Sequence, residues 1–314
     1  MPVYPIFADS LPEPVMRELG DDFEVLPWNV PPDPETARRV LRLYVYGHPQ
    51  VDAELLDRFP NLKVVSNHGV GVDHIDVAAA VSRGIHVGNT PGCLDQSTAD
   101  MTLALLLAAA RNVVRGDAFA RGPEFTIYDP AVLIGLEVSG STLGIVGLGR
   151  IGQQVARRAL AFDMRVVYHN RRPVPEAEQE LGVEYVSLPE LLQQSDFVSL
   201  NCPLTTETTG PNGRVECALM RPTSVLVNMA RGPVVQTQAL YEALRDGVIA
   251  AAGLDVTDPE PLPRDHPLLG LENLVITPHL GSASNRTRAK MVARSIANLR
   301  AGVQGKPLPY EVFA

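Results

Sequence analysis

Residues 143–152 read LGIVGLGRIG, an apolar run that leads into a G-x-G-x-x-G pattern. In such a pattern Gly147 permits a tight turn, Gly149 lets the main chain approach a pyrophosphate, and Gly152 permits close packing of helix on strand. A helical pattern follows over residues 153–161, and its N-terminus would present free N–H groups and a positive dipole end to the phosphates. The stretch therefore predicts a strand, a turn and a helix that together bind a dinucleotide.

The end of the next predicted strand, residues 165–168, indicates which dinucleotide is bound. Sites for NAD usually carry Asp or Glu about 20 residues after the glycines, where the carboxylate holds the ribose hydroxyls. Here the strand leads instead to Asn170, Arg171 and Arg172. A carboxylate would repel a 2′-phosphate, whereas a neutral amide beside two guanidinium groups would attract it. The pattern favours NADP(H), with NAD(H) as the alternative; the two arginines could also be solvated surface charges.

The composition is that of an ordinary globular protein of about two domains, with 314 residues of which 45% are hydrophobic and 20% charged. The 27 Lys and Arg against 36 Asp and Glu give a net charge of −9, which argues against a binder of nucleic acid or of anionic membranes. The longest apolar stretch, residues 101–110, is too short to span a bilayer. The N-terminus does not have the pattern of a signal peptide.

The cysteines are Cys93, Cys202 and Cys217, an odd number at wide spacing. They form neither a CxxC motif nor another metal-binding pattern, so we expect no metal site. Their usage fits a reducing compartment, and a cytoplasmic location is therefore expected.

Short apolar runs alternate with longer helical patterns along almost the whole chain. This alternation is typical of βαβ units and parallel sheets. About ten strands are predicted, close to the most that one twisted open sheet holds, so two sheets are expected. The predicted strands are residues 3–7, 43–46, 62–66, 85–87, 143–146, 165–168, 197–200, 225–228, 251–255 and 274–277.

Two boundaries are expected between domains. One lies near residues 89–92, before a long apolar helix predicted from about residue 95 to 111. The other lies near residues 278–281, before a helix predicted over residues 285–302. If both are real, the two ends of the chain combine into one domain.

The predicted fold class is α/β, with two Rossmann-like or flavodoxin-like domains, doubly wound parallel sheets and a cleft between them. Residues 94–280 are expected to form the dinucleotide-binding Rossmann domain. Residues 1–93 and 281–314 are expected to form a discontinuous substrate-binding, catalytic domain.

Three residues at successive strand ends have the chemistry that hydride transfer to a ketone requires. The reaction needs a cation for the substrate carboxylate, an acid that protonates the carbonyl oxygen, and a partner that keeps this acid protonated. Arg231, Glu260 and His279 each follow a predicted strand, at the edge of the sheet where ligands bind. Singly, each could be a surface charge, a loop residue or a structural histidine, but their joint occurrence beside a nucleotide turn favours an enzyme.

Six segments of the chain form recognisable motifs: GVGVDHID at 69–76, GLGRIG at 147–152, MARG at 229–232, AGLDV at 252–256, DPEPLP at 258–263 and TPHLGS at 277–282. In these segments the sequence resembles the D-isomer-specific 2-hydroxyacid dehydrogenases over nearly its whole length, and within them it is most similar to the glyoxylate and hydroxypyruvate reductases. The motifs are specific for the family and much less so for the substrate.

The resemblance implies a reaction and a role for each catalytic residue. The reaction is NAD(P)H-dependent reduction of a small 2-keto acid, glyoxylate or hydroxypyruvate first, to the D-2-hydroxy acid. Arg231 would bind the substrate carboxylate, and His279 would give the proton in reduction and take it in oxidation. Glu260 would hydrogen-bond the imidazole and favour its protonated form. The N–H groups of Val70 and Gly71 would complete the carboxylate site.

The resemblance also implies contacts to the cofactor, among them a hydrogen bond from the nicotinamide amide to Asp255. Ordinary loop packing is the alternative for the lesser positions. The expected cofactor-binding residues are Thr98, Gly147, Gly149, Arg150, Ile151, Gly152, Asn170, Arg171, Arg172, Cys202, Pro203, Thr208, Met229, Ala230, Asp255 and Gly281.

One departure from the resembled reductases concerns an aromatic residue. They often have Trp between the long helix and the glycine turn, where it reaches the substrate site of the neighbouring subunit. Tyr128 is the better counterpart here and is expected to line the substrate site, where its hydroxyl could favour a more polar substrate. The helix over residues 100–110 is more apolar than one buried face requires, so we expect a homodimer, as the resemblance also implies.

Other functions of the same fold are kept as alternatives. The D-lactate and phosphoglycerate types of dehydrogenase are two, although loop 66–72 has no Lys or Arg for a substrate phosphate. Formate dehydrogenases of this fold typically have Gln where Glu260 stands, which disfavours them. A nucleotide-sensing, corepressor-like binding protein is a further alternative, but no partner-binding extension is evident.

Overall fold

The computed structural model describes residues 4–8, 11–27, 32–210 and 213–313. The chain forms two compact units, passing from the first to the second between Leu94 and Asp95 and back between Ala283 and Ser284. The first unit therefore combines both ends of the chain, and the second contains the glycine turn. Which ligand each unit binds stays a prediction.

The strands of the described residues are, in chain order, β1 (Tyr4–Ala8), β2 (Phe23–Pro27), β3 (Arg42–Val45), β4 (Val64–Asn67), β5 (His86–Gly88), β6 (Thr142–Val146), β7 (Arg165–His169), β8 (Glu184–Tyr185), β9 (Phe197–Leu200), β10 (Val225–Asn228), β11 (Ala251–Leu254), β12 (Leu274–Ile276) and β13 (Glu311–Val312).

The α-helices of the described residues are, in chain order, α1 (Glu13–Leu19), α2 (Pro34–Arg39), α3 (Ala53–Asp57), α4 (Val77–Ser82), α5 (Asp95–Ala110), α6 (Val113–Arg121), α7 (Arg150–Leu160), α8 (Pro175–Leu181), α9 (Leu188–Gln194), α10 (Arg214–Leu219), α11 (Thr237–Arg245) and α12 (Asn285–Val303). Among them, none combines the length and the apolar character needed to cross a membrane.

The sheet of the second unit has seven parallel strands in the order β12-β11-β10-β9-β6-β7-β8. The chain builds outward from β6 in one direction and then, from β9, in the other. The strand order thus reverses between β6 and β9, and doubly wound sheets bind ligands at the carboxyl ends of the strands beside such a reversal. This places the glycine turn, which follows β6, at the expected binding edge.

The sheet of the first unit has six strands in the order β13-β5-β4-β3-β1-β2, which apart from β13 is the flavodoxin-like order. The fold-class prediction of an α/β chain with two parallel sheets and interleaved helices is confirmed. One strand, β13, runs antiparallel to β5. The strands β2, β8 and β13 were not predicted, because β8 and β13 have two residues each and Glu24 interrupts the apolar residues of the edge strand β2. Residue 3 of the first predicted strand lies outside the described residues.

The packing of helix α5 explains its apolar composition. It packs against β10, β11, β12 and α7 of its own unit, so half of its sixteen residues are buried. Among them are Ala99, Leu103 and Leu106, which belong to the core that also contains Leu143 and Val225. The apolar surplus that suggested a subunit interface at this helix is therefore taken up largely within the unit.

Candidate active site

The glycine turn after β6 is packed so tightly that two of its glycines admit no side chain. Gly147 has a φ of +100°, and a Cβ there would lie 2.6 Å from the main-chain nitrogen of Cys202. A Cβ on Gly152 would lie 2.2 Å from the carbonyl oxygen of Gly147. At Gly149, by contrast, no atom of the described residues other than its chain neighbours lies within 4 Å of the Cβ position. This open space adjoins the N-terminus of α7, where the first N–H groups favour an anion.

A cavity of about 950 Å³ lies at the carboxyl ends of β6, β7 and β9. Its size and its place at the reversal of strand order are those of a cofactor site. The predicted cofactor residues in its wall are Gly147, Gly149, Asn170, Arg171, Arg172, Cys202, Pro203 and Thr208. The wall residues that the motifs did not indicate are Val146, His169, Leu188, Asn201, Thr205 and Glu207.

Asn170 connects the end of β7 with the glycine turn. Its Oδ1 accepts the main-chain N–H of Leu148 at 2.7 Å. The amide thus occupies the strand end where sites for NAD carry an acidic residue, and it does so without charge. Arg171 and Arg172 follow it and are exposed at the cavity wall. This end of the cavity therefore has positive charge for an anionic group.

Glu207 is an acidic residue in the same cavity wall. The Thr205 hydroxyl donates a hydrogen bond to its Oε2 at 2.7 Å, and this bond, together with the charge of Arg171, lowers the pKa of the Glu207 carboxyl. The loop is held by Thr208, whose hydroxyl donates to the carbonyl oxygen of Pro203 at 2.6 Å. Thr205 and Thr208 on either side of Glu207 are visible in the sequence, but their spacing does not indicate that Glu207 lies in the cavity wall.

Three predicted cofactor residues at the start of α7 are placed outside the cavity wall. Arg150 forms an ion pair with Asp95 at 2.9 Å. Ile151 packs against the core of the second unit, and Gly152 packs against the turn. Cys202 does line the cavity, and burial raises the pKa of its thiol, so it is a neutral part of the wall.

Asp255, directly after β11, organises the loop that carries His279. Its carboxylate accepts hydrogen bonds from the Thr277 hydroxyl at 2.6 Å and from the N–H groups of Leu280 and Gly281, each at 2.7 Å. Asp255 is 2% exposed, so these charge-assisted bonds compensate for its burial. A carboxylate has about four acceptor sites, which leaves one for the nicotinamide amide that the resemblance assigns to this residue.

Gly281 is the point at which several predicted cofactor residues meet. A Cβ there would lie 3.2 Å from Oδ2 of Asp255, 3.2 Å from Cε of Met229 and 3.4 Å from Cγ2 of Thr98. The Thr98 hydroxyl donates to the Gly281 carbonyl oxygen at 3.2 Å. The structure thus brings together residues of the second unit that are far apart in sequence.

Glu260 and His279 form a hydrogen-bonded pair, with 2.8 Å between Nδ1 and Oε1. An ionised carboxylate is an acceptor only, so Nδ1 carries the proton of this bond. Glu260 also accepts the N–H of Thr257 at 3.3 Å. His279 has a φ of +56°, which is uncommon for a residue with a side chain and is found preferentially at functional sites. The two side chains are 38% and 31% exposed, which leaves the pair accessible to a small molecule.

Arg231 lies on the loop after β10, and Asn228 supports this loop. The Asn228 side chain accepts the N–H of Ala230 at 3.0 Å and donates to the carbonyl oxygen of Arg231 at 2.8 Å. A Cβ on Gly232 would lie 1.9 Å from the carbonyl oxygen of Thr257, so the loops after β10 and β11 are in direct contact. The three predicted catalytic residues therefore follow three adjacent strands of one sheet.

Two of the predicted substrate-binding residues, Val70 and Gly71, lie in the first unit on the loop after β4. Their N–H groups donate to no acceptor within the part of the chain that the structure describes. Tyr128 belongs to the second unit and is 78% exposed. Its role at a substrate site stays a prediction.

Comparisons with known proteins agree with this arrangement. The family model "D-isomer specific 2-hydroxyacid dehydrogenase, NAD binding domain" matches residues 103–281. A glyoxylate reductase of Korarchaeum cryptofilum is 49% identical over 82% of this chain and 78% of its own length. A glyoxylate reductase of Aeropyrum pernix is 46% identical over 92% of this chain and 88% of its own length.

A solved structure is similar over almost the whole chain. It is an NADPH-dependent glyoxylate/hydroxypyruvate reductase of Sinorhizobium meliloti in complex with NADP and malonate. It is 32% identical with a TM-score of 0.89, and the match covers 99% of this chain and 96% of that one. The family match includes the glycine turn, the cavity and all three predicted catalytic residues. The chain therefore belongs to the D-isomer-specific 2-hydroxyacid dehydrogenase family, close to the glyoxylate reductases, and is an NAD(P)-dependent oxidoreductase acting on CH–OH groups.

Proposed function

We propose that the protein reduces a small 2-keto acid, glyoxylate or hydroxypyruvate first, to the D-2-hydroxy acid with NAD(P)H. The observation that carries this proposal is the hydrogen bond between His279 and Glu260 in the unit that also contains the glycine turn and its cavity. This pair supplies a positioned acid at the sheet edge where ligands bind. The glyoxylate reductases among its relatives support the substrate class.

The residues around the cavity fit a dinucleotide. The open space beside Gly149 and the N-terminus of α7 would hold the pyrophosphate. Cys202, Pro203 and Thr208 would border the adenosine, whereas Asp255 would hold the nicotinamide amide. When bound, the reduced nicotinamide supplies a hydride to the keto carbon.

His279 would supply the proton. Because Nδ1 binds Glu260, the nitrogen that meets the substrate would be Nε2. The protonated ring would donate a hydrogen bond from Nε2 to the keto oxygen and pass the proton as negative charge develops there. The carboxylate of Glu260 would fix the ring orientation and stabilise its positive charge. In oxidation the same nitrogen would take the proton back.

Arg231 would bind the substrate carboxylate. A guanidinium presents two parallel N–H donors that match the two carboxylate oxygens. Asn228 holds the main chain of Arg231 on the loop after β10, which restricts where the side chain can reach. The N–H groups of Val70 and Gly71 would serve the same carboxylate.

NADP(H) is proposed as the preferred cofactor, with NAD(H) as the alternative. The neutral Asn170 and the exposed Arg171 and Arg172 in the cavity wall support this preference. The Sinorhizobium meliloti relative, which is NADPH-dependent and was solved with NADP, supports it as well. Glu207 would oppose a 2′-phosphate to some degree, because its carboxylate faces the same cavity.

We also propose that the protein is a homodimer. The segment before β6 exposes the large apolar side chains of Phe125, Ile127, Tyr128 and Ile134, the last three each at 78%. Exposed apolar groups close together in a chain are typical of interaction surfaces. Tyr128 would then contribute to the substrate site of the neighbouring subunit. A monodisperse monomer in light scattering at micromolar concentration would contradict the dimer.

The test of the proposed function is a panel of 2-keto acids assayed with NADPH and with NADH. We expect the highest kcat/KM for glyoxylate or hydroxypyruvate, and the D enantiomer as the product of hydroxypyruvate reduction. Absence of turnover with every 2-keto acid, in a protein that still binds the dinucleotide, would overturn the proposal in favour of a nucleotide-binding role.

A further inference from the structure

Building on the proposed function, we propose that Asn67 and Asn89 are positioning residues for the substrate carboxylate. Their side-chain amides hold the carbonyl oxygens of the loop at residues 69–71. This fixes the peptide planes so that the N–H groups of Val70 and Gly71 stay available to an anion.

Every carbonyl oxygen of this loop is held by a nitrogen of the first unit. Nδ2 of Asn67 donates to the Gly71 oxygen at 2.8 Å and to the Gly69 oxygen at 3.2 Å. Nδ2 of Asn89 donates to the Val70 oxygen at 2.8 Å. The main-chain N–H of Thr90 donates to the Gly69 oxygen at 3.0 Å.

The geometry of the peptide bond converts these contacts into an orientation of donors. In a trans peptide the N–H points away from the C=O of the preceding residue. Holding the Gly69 oxygen therefore fixes the N–H of Val70, and holding the Val70 oxygen fixes the N–H of Gly71. Because both N–H groups donate to no acceptor among the described residues, they form a pair of preorganised donors for a carboxylate.

Asn67 is itself oriented by a neighbour. It ends β4 and is 1% exposed, and its Oδ1 lies 3.3 Å from Nε2 of His74, which is 4% exposed. Since Nδ2 of the amide faces two carbonyl oxygens, Oδ1 must be the acceptor and the imidazole the donor. The buried histidine thus determines which way the amide points.

Asn89 is held through its main chain. It follows β5, its N–H donates to the Tyr310 carbonyl oxygen at 3.0 Å, and its own carbonyl oxygen accepts Nδ2 of Asn298 at 3.1 Å. These contacts keep the Asn89 backbone in place when its side chain is changed. The side chain is only half-buried, so its replacement should leave the fold intact.

The experiment uses Asn89→Ala and Asn89→Asp, which remove the amide donor of Asn89. It also uses Asn67→Ser, which replaces the buried amide of Asn67 by a shorter side chain. Asn61→Ala is the matched control, because Asn61 makes the same kind of bond, to the Arg38 carbonyl oxygen at 2.8 Å, away from the loop. For each variant we would measure KM and kcat for the keto acid, inhibition by malonate as a carboxylate probe, the Kd of NADPH and the melting temperature.

We expect the KM of the keto acid and the inhibition constant of malonate to rise together, about five- to tenfold in Asn89→Ala and more in Asn89→Asp. The Kd of NADPH and the melting temperature of Asn89→Ala should match those of Asn61→Ala. An unchanged KM and malonate constant, or equal losses in cofactor binding and stability, would overturn the positioning role. Lack of turnover in the unmodified protein would instead show that the proposed function itself has failed.

Discussion

The side-chain oxygen of Asn170 accepts the main-chain N–H of Leu148 at 2.7 Å, which ties the end of β7 to the glycine turn. One acceptor site of the amide oxygen is thereby used within the protein, and a neutral amide lacks the two charged oxygens with which a carboxylate holds the ribose hydroxyls. We expect the charged residues around this cavity to discriminate between the two dinucleotides, and these can be changed one at a time.

Neutralising Arg171 and Arg172 should remove the preference for NADPH. In the double variant Arg171→Gln/Arg172→Gln we expect the ratio of kcat/KM for NADPH to that for NADH to fall at least about tenfold, because hydrogen bonds to a charged group contribute about 1.5–3 kcal/mol. Arg165→Gln is the control, since this residue pairs with Glu184 at the opposite end of β7. A preference for NADH in the unmodified protein would show that Arg171 and Arg172 do not select NADPH.

Removing the charge of Glu207 should have the opposite effect. In Glu207→Gln the 2′-phosphate no longer faces a carboxylate, so we expect the KM for NADPH to fall a few-fold while that for NADH changes less. Glu190→Gln is the matched control, because hydrogen bonds from Ser187 lower the pKa of Glu190 in the same way. Equal changes for both dinucleotides would contradict the assignment of Glu207 to the phosphate end.

The glycines of the turn should separate cofactor binding from stability. A methyl group in Gly149→Ala meets open space, so the melting temperature should change little while the Kd of NADPH rises at least about tenfold. In Gly152→Ala the methyl group would lie 2.2 Å from a carbonyl oxygen, and we expect a loss of about 1–3 kcal/mol in unfolding free energy. Thermal unfolding and nucleotide titration of both variants check this; similar behaviour of the two would contradict it.

Stability should fall at acidic pH because of His68 in the first unit. His68 is 7% exposed and its Nδ1 lies 2.9 Å from the Tyr44 hydroxyl; burial, with the charge of Arg288, lowers its pKa to about 4. Between its ordinary pKa of about 6.5 and this value, the unfolded chain takes up a proton that the folded chain does not. The stability that is present above pH of about 6.5 is therefore lost progressively toward pH of about 4.

The measurement is the free energy of unfolding in urea, once above pH of about 6.5 and once at pH of about 4.5. At pH of about 4.5 the contribution lost through His68 amounts to about 2–3 kcal/mol, and His68→Gln should lack this part of the pH dependence. His86→Gln, at a half-exposed imidazole on β5, should keep it. Identical pH profiles for the two variants would count against burial of a neutral His68 as the cause.

The sequence predicts a strand reliably where a continuous apolar run matches burial in the middle of a sheet. The run before Gly147 is a strand buried in the middle of a sheet, so it is almost continuously apolar. The strand β2 lies at the sheet edge, and the polar Glu24 interrupts its apolar residues, so no continuous apolar run marks it in the sequence.

The predicted catalytic residues at the strand ends can also be recognised in the sequence, whereas the residues that hold their loops in place cannot. Arg231, Glu260 and His279 are unusual residue types after apolar runs, and this makes them detectable. The three hydrogen bonds to Asp255 and the contacts of Asn228 depend on side-chain directions in loops. Such directions are determined by tertiary packing, so no spacing rule indicates them.

His279, held by Glu260, is proposed to give the proton to the substrate. The experiment that decides this is a measurement of kcat for glyoxylate with NADPH in His279→Ala and Glu260→Gln, together with the Kd of NADPH. We predict that kcat falls at least about a hundredfold in His279→Ala, and less in Glu260→Gln, while the Kd stays within about twofold of the unmodified protein. A kcat for His279→Ala within a few-fold of the unmodified enzyme would show that His279 is not the proton donor.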